Sequence, residues 1–200
     1  IRWMWMLCRE ELGLILGDEM GLGKTFQIIF LFCLFKERQD SPNLVVCPAT
    51  LVSNWSREIE KFAPDLNVYE HKGPWRTGSS EFLEEHDVVI TSYDTMIASD
   101  GEMRLIFEKI DWALVVLDEA QAIKNPEAKR SGYVKRLSCA ASIAVTGTPL
   151  ENRMTDVWSL FDFCLPGFLG DLEGFEERYP NDIASATRLE GSALAPVNNN

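Results

Sequence analysis

Short apolar runs recur along the first 145 residues of the chain. They lie at residues 12–16, 44–47, 88–90, 114–117 and 143–145. Each run is continuous rather than alternating with polar residues, which is typical of parallel strands that are buried on both faces. Helical patterns separate the runs. The pattern therefore predicts an α/β fold with a mostly parallel sheet, right-handed crossovers and helices on both faces of the sheet.

Two segments, one between the second and third runs and one after the last run, have apolar residues at helical spacing. The predicted core faces carry Leu51, Trp55, Ile59 and Phe62 in the first and Val157, Leu160, Phe161 and Cys164 in the second. On this basis Trp55 and Trp158 are core residues, and Glu58 points away from the core. Residues 71–85 are rich in glycine, proline and serine, which predicts a surface loop with one helical turn near Phe82.

A glycine-rich segment follows the first apolar run. Residues 17–25 read GDEMGLGKT and lead into a helical pattern. Glycines let backbone N–H groups approach phosphate oxygens, and the helix N-terminus adds a positive dipole end. Lys24 is then placed to reach the terminal phosphates, and the Thr25 hydroxyl to hold Mg²⁺. The predicted nucleotide contacts are Met20, Gly21, Leu22, Gly23, Lys24 and Thr25.

The match to a strict phosphate-loop pattern is partial, because position 18 is aspartate where that pattern has glycine. A plain glycine-rich turn between a strand and a helix is the alternative interpretation. Asp18 and Glu19 are assigned no catalytic role.

An acidic pair, Asp118-Glu119, follows the fourth apolar run. At a strand end one carboxylate can hold Mg²⁺, directly or through water, while the next orients the attacking water. Acidic residues also cap helix starts, which is the alternative for this pair taken alone. Because both motifs follow strands that end at the same edge of the sheet, we predict a single ATP-hydrolysing site with Lys24, Asp118 and Glu119 as its catalytic residues.

Several segments in succession resemble the motifs of the SWI/SNF-related ATPases of helicase superfamily two. They are residues 17–25, 46–55, 90–94, 118–121 and 146–152, and residues 165–170 resemble the segment that closes the first motor lobe of that family. Asp18 fits this family, whose own phosphate loop reads Asp-x-Met-Gly-Leu-Gly-Lys-Thr. The resemblance covers residues 1–180 and implies a RecA-like P-loop NTPase lobe with a DEAQ box.

The resemblance also implies roles beyond the ATP site. Gln121, Thr146 and Thr148 would couple ATP to movement, although Gln121 is otherwise a plain amide in a polar turn and Thr146 a plain turn residue. DNA backbone contacts would come from Pro48, Ala49 and Thr50 and from Thr91, Ser92 and Tyr93. The alternative for Thr50 or Ser53 is a cap on the helix that contains Trp55.

By this resemblance residues 1–180 form the amino-terminal lobe. In residues 181–200 Ala, Ser and Asn replace the aromatic residues, which predicts a loosely packed or mobile tail. The family's second lobe and its arginines would follow, so the chain is interpreted as a fragment that hydrolyses ATP poorly. The expected function is the ATP-binding lobe of an ATP-dependent translocase or remodeller that acts on double-stranded DNA and a protein bound to it. The alternatives are a nucleotide- or DNA-binding module without turnover and a metabolic phosphate-loop kinase.

The charge balance limits the DNA contact to a local one. With 19 Lys and Arg against 31 Asp and Glu, the net charge of −12 argues against a broad nonspecific nucleic-acid surface. The densest basic stretch lies within residues 124–136, where a solvated helix face and a nucleic-acid contact are both open interpretations.

Other residue types exclude further classes of site. The five cysteines have no Cys-x-x-Cys spacing and are expected to be buried thiols in a reducing compartment, and His71 and His86 to be ordinary surface residues. The apolar opening at residues 1–7 is too short to span a membrane. The expected location is the bacterial cytoplasm and nucleoid or the eukaryotic nucleus.

Overall fold

A computed structural model describes residues 1–18, 21–38, 41–98, 105–147 and 153–179. Its strands are β1 (Leu14–Leu16), β2 (Asn43–Cys47), β3 (Val68–His71), β4 (Val88–Ser92), β5 (Trp112–Leu117) and β6 (Cys139–Val145). Its helices are α1 (Arg2–Arg9), α2 (Lys24–Lys36), α3 (Val52–Phe62), α4 (Ser80–Glu84), α5 (Tyr93–Ala98), α6 (Lys129–Val134), α7 (Met154–Cys164) and α8 (Leu172–Arg178). Two short 3-10 turns lie at Ala49–Leu51 and Ala120–Ile123.

The six strands form one parallel sheet in the order β1-β6-β5-β2-β4-β3. Val46 of β2 lies between Leu117 of β5 and Thr91 of β4. The sheet therefore brings the carboxyl ends of β2, β4 and β5 together at one edge. The predicted parallel α/β architecture is confirmed.

Two hydrophobic clusters pack on opposite faces of the sheet. In β2, Val45 and Cys47 contact the cluster formed with α1, α2 and α3, while Leu44 and Val46 contact the cluster formed with α5, α6 and α7. Successive strand residues thus enter opposite cores, and each strand needs apolar side chains at every position. This explains the continuous runs in the sequence.

The predicted loop at residues 71–85 is partly wrong. Strand β3 ends at His71, inside that range, and was not predicted because its sequence Val-Tyr-Glu-His mixes apolar and polar residues. β3 lies at one end of the sheet, and three of its four residues are only half-buried. Helix α4 stands where a helical turn was expected, and the Ser79 hydroxyl accepts the Phe82 N–H at 3.1 Å as its N-cap.

Several predicted core positions differ from the structure. Phe62 is 42% exposed and packs edge to face against Phe26, with ring centroids 5.2 Å apart. In α7 the buried apolar side chains are Trp158, Leu160, Phe163 and Cys164, while Val157 and Phe161 are half-buried. Trp55 and Trp158 are buried, as predicted. Of the five cysteines, Cys33 and Cys139 are half-buried rather than buried.

His71 is a core residue, not a surface one. Its side chain is 0% exposed, and its ring lies edge to face against Phe107 at 5.0 Å between centroids. Burial, with a smaller contribution from the positive charge of Arg76, lowers the pKa of His71 to about 4. The apolar surroundings therefore keep this imidazole neutral.

Among the described residues, no helix combines the length and the apolar character that crossing a membrane requires.

Candidate functional site

The phosphate-loop residues lie between β1 and α2, at the carboxyl edge of the sheet. Gly21 and Gly23 have φ angles of +86° and +73°, a region in which any other residue is strained, and Gly23 is the N-cap of α2. No side chain caps this helix in the described part of the loop. The Lys24 ammonium donates to the backbone carbonyl of Asp18, and predicted contact Met20 lies outside the described residues.

One cavity of about 510 Å³ brings the two predicted motifs together. One wall consists of phosphate-loop and α2 residues, and the other of residues that follow β5 and β6. The predicted residues that line it are Gly21, Gly23, Lys24, Thr25, Asp118, Glu119, Gln121 and Thr146. The exposed Leu22 does not line it.

Asp118 follows the last residue of β5, and its N–H donates to Val46 O at 2.9 Å. Both oxygens of its carboxylate accept hydrogen bonds: Oδ1 accepts the Glu119 N–H at 2.9 Å, and Oδ2 accepts the Trp55 indole N–H at 2.8 Å. Burial raises the pKa of Asp118, while these two donors and the positive charge of Lys24 favour the charged form. The carboxylate is therefore fixed in orientation.

Glu119 begins a chain of side-chain hydrogen bonds that crosses from β5 to β6. The Gln121 amide donates to Glu119 Oε2 at 2.6 Å, and the Thr146 hydroxyl donates to Gln121 Oε1 at 3.1 Å. Glu119 itself has φ of +49°, a left-handed conformation that directs the chain into the 3-10 turn. Gln121 is thus more than a solvated amide, and Thr148 lies outside the described residues.

The oxygen atoms of this cavity suit Mg²⁺ bound together with a nucleotide. Mg²⁺ prefers oxygen ligands and is usually held by one or two protein groups plus substrate phosphates and waters. The Asp118 carboxylate and the Thr25 hydroxyl line the same cavity and are groups of that kind. Thr25 and Asp118 therefore fit the predicted metal role.

The predicted DNA-contact residues divide into two groups. Ala49 and Thr50 are exposed and Pro48 is half-buried, so this segment is accessible at the carboxyl edge of the sheet. Neither the 3-10 turn at Ala49–Leu51 nor α3 has a side-chain cap, so the alternative of a capping Thr50 or Ser53 is wrong.

The side chains of Thr91, Ser92 and Tyr93 are buried, so in this structure their hydroxyls bond within the chain and are not exposed to DNA. The Thr91 hydroxyl donates to His71 O at 3.1 Å, and the Tyr93 hydroxyl to Asp118 O at 2.9 Å. Ser92 Oγ accepts the Thr95 N–H at 3.0 Å. Thr91 and Ser92 belong to β4, which lies inside the sheet between β2 and β3, and Tyr93 begins α5.

Some basic residues in the stretch at residues 124–136 are engaged in ion pairs, and others are exposed. Lys135 pairs with Asp162 at 2.7 Å and Arg136 with Glu108 at 2.9 Å, while Lys124 and Lys129 are exposed. A larger groove of about 680 Å³, with Lys124, Asp156 and Glu176 in its lining, contains none of the predicted site residues.

Sequence reasoning missed four residues at the ATP-site cavity. Glu58, Phe62 and Phe26 line it, and Trp55 bonds to Asp118. Trp55, Glu58 and Phe62 recur at helical spacing on α3 and so form one stripe, which faces the phosphate loop. The sequence contained this signal, but Glu58 was interpreted only as pointing away from the core and was given no place at the site.

The chain is similar to several known proteins. A family model described as the SNF2-related domain matches residues 1–199. The putative ATP-dependent helicase/translocase YwqA of Bacillus subtilis is 43% identical over 184 residues, which cover 90% of this chain and 20% of that protein. The TATA-binding protein-associated factor mot1 of Schizosaccharomyces pombe is 38% identical over 208 residues, which cover 96% of this chain and 10% of that protein.

Among solved structures, the SWI2/SNF2 ATPase core of Sulfolobus solfataricus in complex with double-stranded DNA matches with a TM-score of 0.80 at 34% identity. The match covers 94% of this chain and 40% of that one. The chain thus spans a minor part of each of these relatives. From its motifs, its RecA-like parallel sheet and these matches, we conclude that the chain belongs to the SNF2-related family.

Proposed function

We propose that this chain is the ATP-binding lobe of an ATP-dependent translocase or nucleoprotein remodeller that acts on double-stranded DNA. The observation that carries the proposal is the single cavity of about 510 Å³ into which Lys24, Thr25, Asp118 and Glu119 converge. Phosphate-binding and water-activating groups on facing walls are the arrangement that hydrolysis of a triphosphate needs.

Each residue has a distinct role in the proposed reaction. The backbone N–H groups of the loop around Gly21 and Gly23 bind the phosphates, and Lys24 leaves the Asp18 carbonyl to bind the terminal phosphates. Thr25 and Asp118 would hold Mg²⁺, which when bound neutralises charge on the phosphates. Glu119 orients the attacking water and accepts its proton.

The hydrogen bonds from Thr146 through Gln121 to Glu119 support a coupling role for this chain of residues. Gln121 holds Glu119 Oε2 at 2.6 Å, so the orientation of the catalytic carboxylate depends on the position of the segment that follows β6. Thr148, two residues farther along, belongs to the same proposal. Movement of this segment would change how Glu119 faces the water.

For DNA, the proposal retains Pro48, Ala49 and Thr50, because this segment is accessible. Contacts here would be to the backbone rather than to bases and would be local, in keeping with the net charge of −12. We also propose residues 1–180 as the extent of the lobe. The predicted tail at residues 181–200 lies outside the described residues. The compartment would be that of the DNA, the bacterial nucleoid or the eukaryotic nucleus.

The test is phosphate release from ATP by the chain, alone and with duplex DNA. Slow release that rises when DNA is added is expected for this lobe. Nucleotide binding with no turnover under either condition would favour the alternative of a binding module. Transfer of phosphate to an acceptor without release would instead identify a kinase and contradict the proposal.

A further inference from the structure

Trp55 is a buried core residue that also forms a hydrogen bond with a residue of the candidate ATP site. It lies in the first turn of α3 and is 2% exposed, and its indole N–H donates to Asp118 Oδ2 at 2.8 Å. We propose that Trp55 is a positioning residue for the magnesium-binding carboxylate of Asp118. The inference rests on the proposed function, because it assumes that Asp118 holds the metal.

Other buried tryptophans show what a purely structural indole does here. The N–H of Trp112 donates to the backbone carbonyl of Phe107 at 2.9 Å, and that of Trp158 donates to the backbone carbonyl of Gly170 at 3.1 Å. Each satisfies its donor with the main chain. Trp55 donates instead to a carboxylate that lines the ATP-site cavity, and a hydrogen bond to a charged acceptor is stronger and shorter than one to a neutral acceptor.

The bond fixes the carboxylate in one orientation. Oδ1 is held by the Glu119 N–H at 2.9 Å, so a rotation of the carboxylate would break this bond or the bond to Trp55. Each oxygen keeps a further lone pair for the metal or its waters. Loss of the indole donor leaves the carboxylate held on one side only, and it can then turn away from the metal position.

Tyr93 fixes the backbone of the same residue. Its hydroxyl donates to Asp118 O at 2.9 Å, and its side chain is buried. Tyr93 therefore fixes the position of the Asp118 backbone, and Trp55 fixes the orientation of its carboxylate. Partners of this kind around a metal ligand typically change metal affinity about 10- to 100-fold when removed.

The position of Trp55 also connects two surfaces of the lobe. Helix α3 follows the accessible segment Pro48–Thr50 directly, and Trp55 lies one turn into the helix. Because a helix moves as a rigid element, a displacement of its first turn moves the indole N–H relative to Asp118. The DNA-facing segment and the metal carboxylate are thus joined by one helix and one hydrogen bond.

The test compares Trp55→Phe with Trp112→Phe. Both remove a buried indole and its hydrogen bond, but only the first touches Asp118. Binding of ATPγS to the full chain is measured by calorimetry over a series of Mg²⁺ concentrations. We expect Trp55→Phe to raise the Mg²⁺ concentration needed for half-maximal binding about 10-fold or more, with unchanged binding in excess EDTA. Trp112→Phe should leave the Mg²⁺ dependence at the parent value.

Equal Mg²⁺ dependence in the two variants would overturn the inference. If Trp55→Phe does not fold, replacement of Trp55 by benzothienylalanine, in which sulfur takes the place of the N–H, keeps the ring size and tests the same bond. A parent chain that binds no Mg-nucleotide at all would overturn the proposed function and, with it, this inference.

Discussion

Adding one methyl group at Gly13 should destabilise the lobe strongly. Gly13 immediately precedes β1, where the chain passes against the carboxyl end of α7. A Cβ built there overlaps the Cys164 carbonyl oxygen and lies 2.7 Å from its carbon and 2.6 Å from Ser142 Oγ. An ordinary contact between heavy atoms is about 3.5 Å or more, so the backbone on one side must move by roughly 1.5 Å.

The expected loss in the free energy of unfolding depends on which atoms must move to make room for the methyl group. Overpacking a rigid site costs about 1–3 kcal/mol, and the obstacle here is backbone rather than a flexible side chain, so we expect about 3 kcal/mol for Gly13→Ala. Strand β1 has only three residues and leads into the phosphate loop, so nucleotide binding should weaken as well.

Gly132 provides a matched control. It lies inside α6, and a Cβ there has no described atom within 4 Å. Since alanine is a better helix former than glycine, Gly132→Ala should stabilise the lobe by about 0.5–1 kcal/mol. Urea unfolding followed by tryptophan fluorescence measures both changes. The reasoning would be refuted if Gly13→Ala unfolded within 0.5 kcal/mol of the parent or if the two variants changed stability in the same direction.

Four further predictions concern the site and one core residue. Lys24→Ala should abolish measurable Mg-ATP binding by calorimetry, and binding as tight as that of the parent would show that the phosphate-loop assignment is wrong. Glu119→Gln should keep ATP binding and lose hydrolysis in an ATPase assay of the motor assembled with its second lobe; retained turnover there would contradict a role in orienting water. Thr146→Val removes the donor to Gln121 and should lower turnover while leaving ATP affinity within about twofold, because Lys24 is untouched; a loss of affinity equal to the loss of turnover would argue against coupling. The pKa of His71 is about 4 in the folded chain against 6.5 unfolded, so stability is full above pH 6.5 and falls as the pH drops from 6.5 toward 4, by up to about 3 kcal/mol; His71→Phe should lose less stability over that window in acid unfolding experiments, and an equal loss would contradict the assignment.

The sequence predicted the sheet well where both faces of a strand are buried. Those strands read as uninterrupted apolar runs, and each strand was found where its run lies. β3 was missed because three of its four residues are only half-buried, and one of them is Glu70, whose carboxylate accepts the Ser53 hydroxyl at 3.0 Å. A charged residue at such a position interrupts the apolar run, so a prediction based on apolar runs does not detect the strand.

The candidate ATP site was predictable from local motifs, because the glycines and acidic residues that line its cavity lie in short segments at strand ends. The direction of a side chain was not predictable in the same way. Helical spacing placed Trp55 in the core, but the direction of its N–H depends on how α3 packs against the sheet. Thr91 and Tyr93 were expected at a DNA surface, and their burial depends on the strand order, which the sequence alone does not define.

The central claim is that the phosphate loop and the acidic pair form one site for a metal-bound nucleotide. The most direct test is a crystal structure of the chain with Mn²⁺ and ATPγS, in which the metal is located by its anomalous signal. The account predicts a single strong peak between Thr25 and Asp118, with the terminal phosphate at Lys24. A peak in the groove at Asp156 and Glu176, with no nucleotide at the phosphate loop, would contradict it.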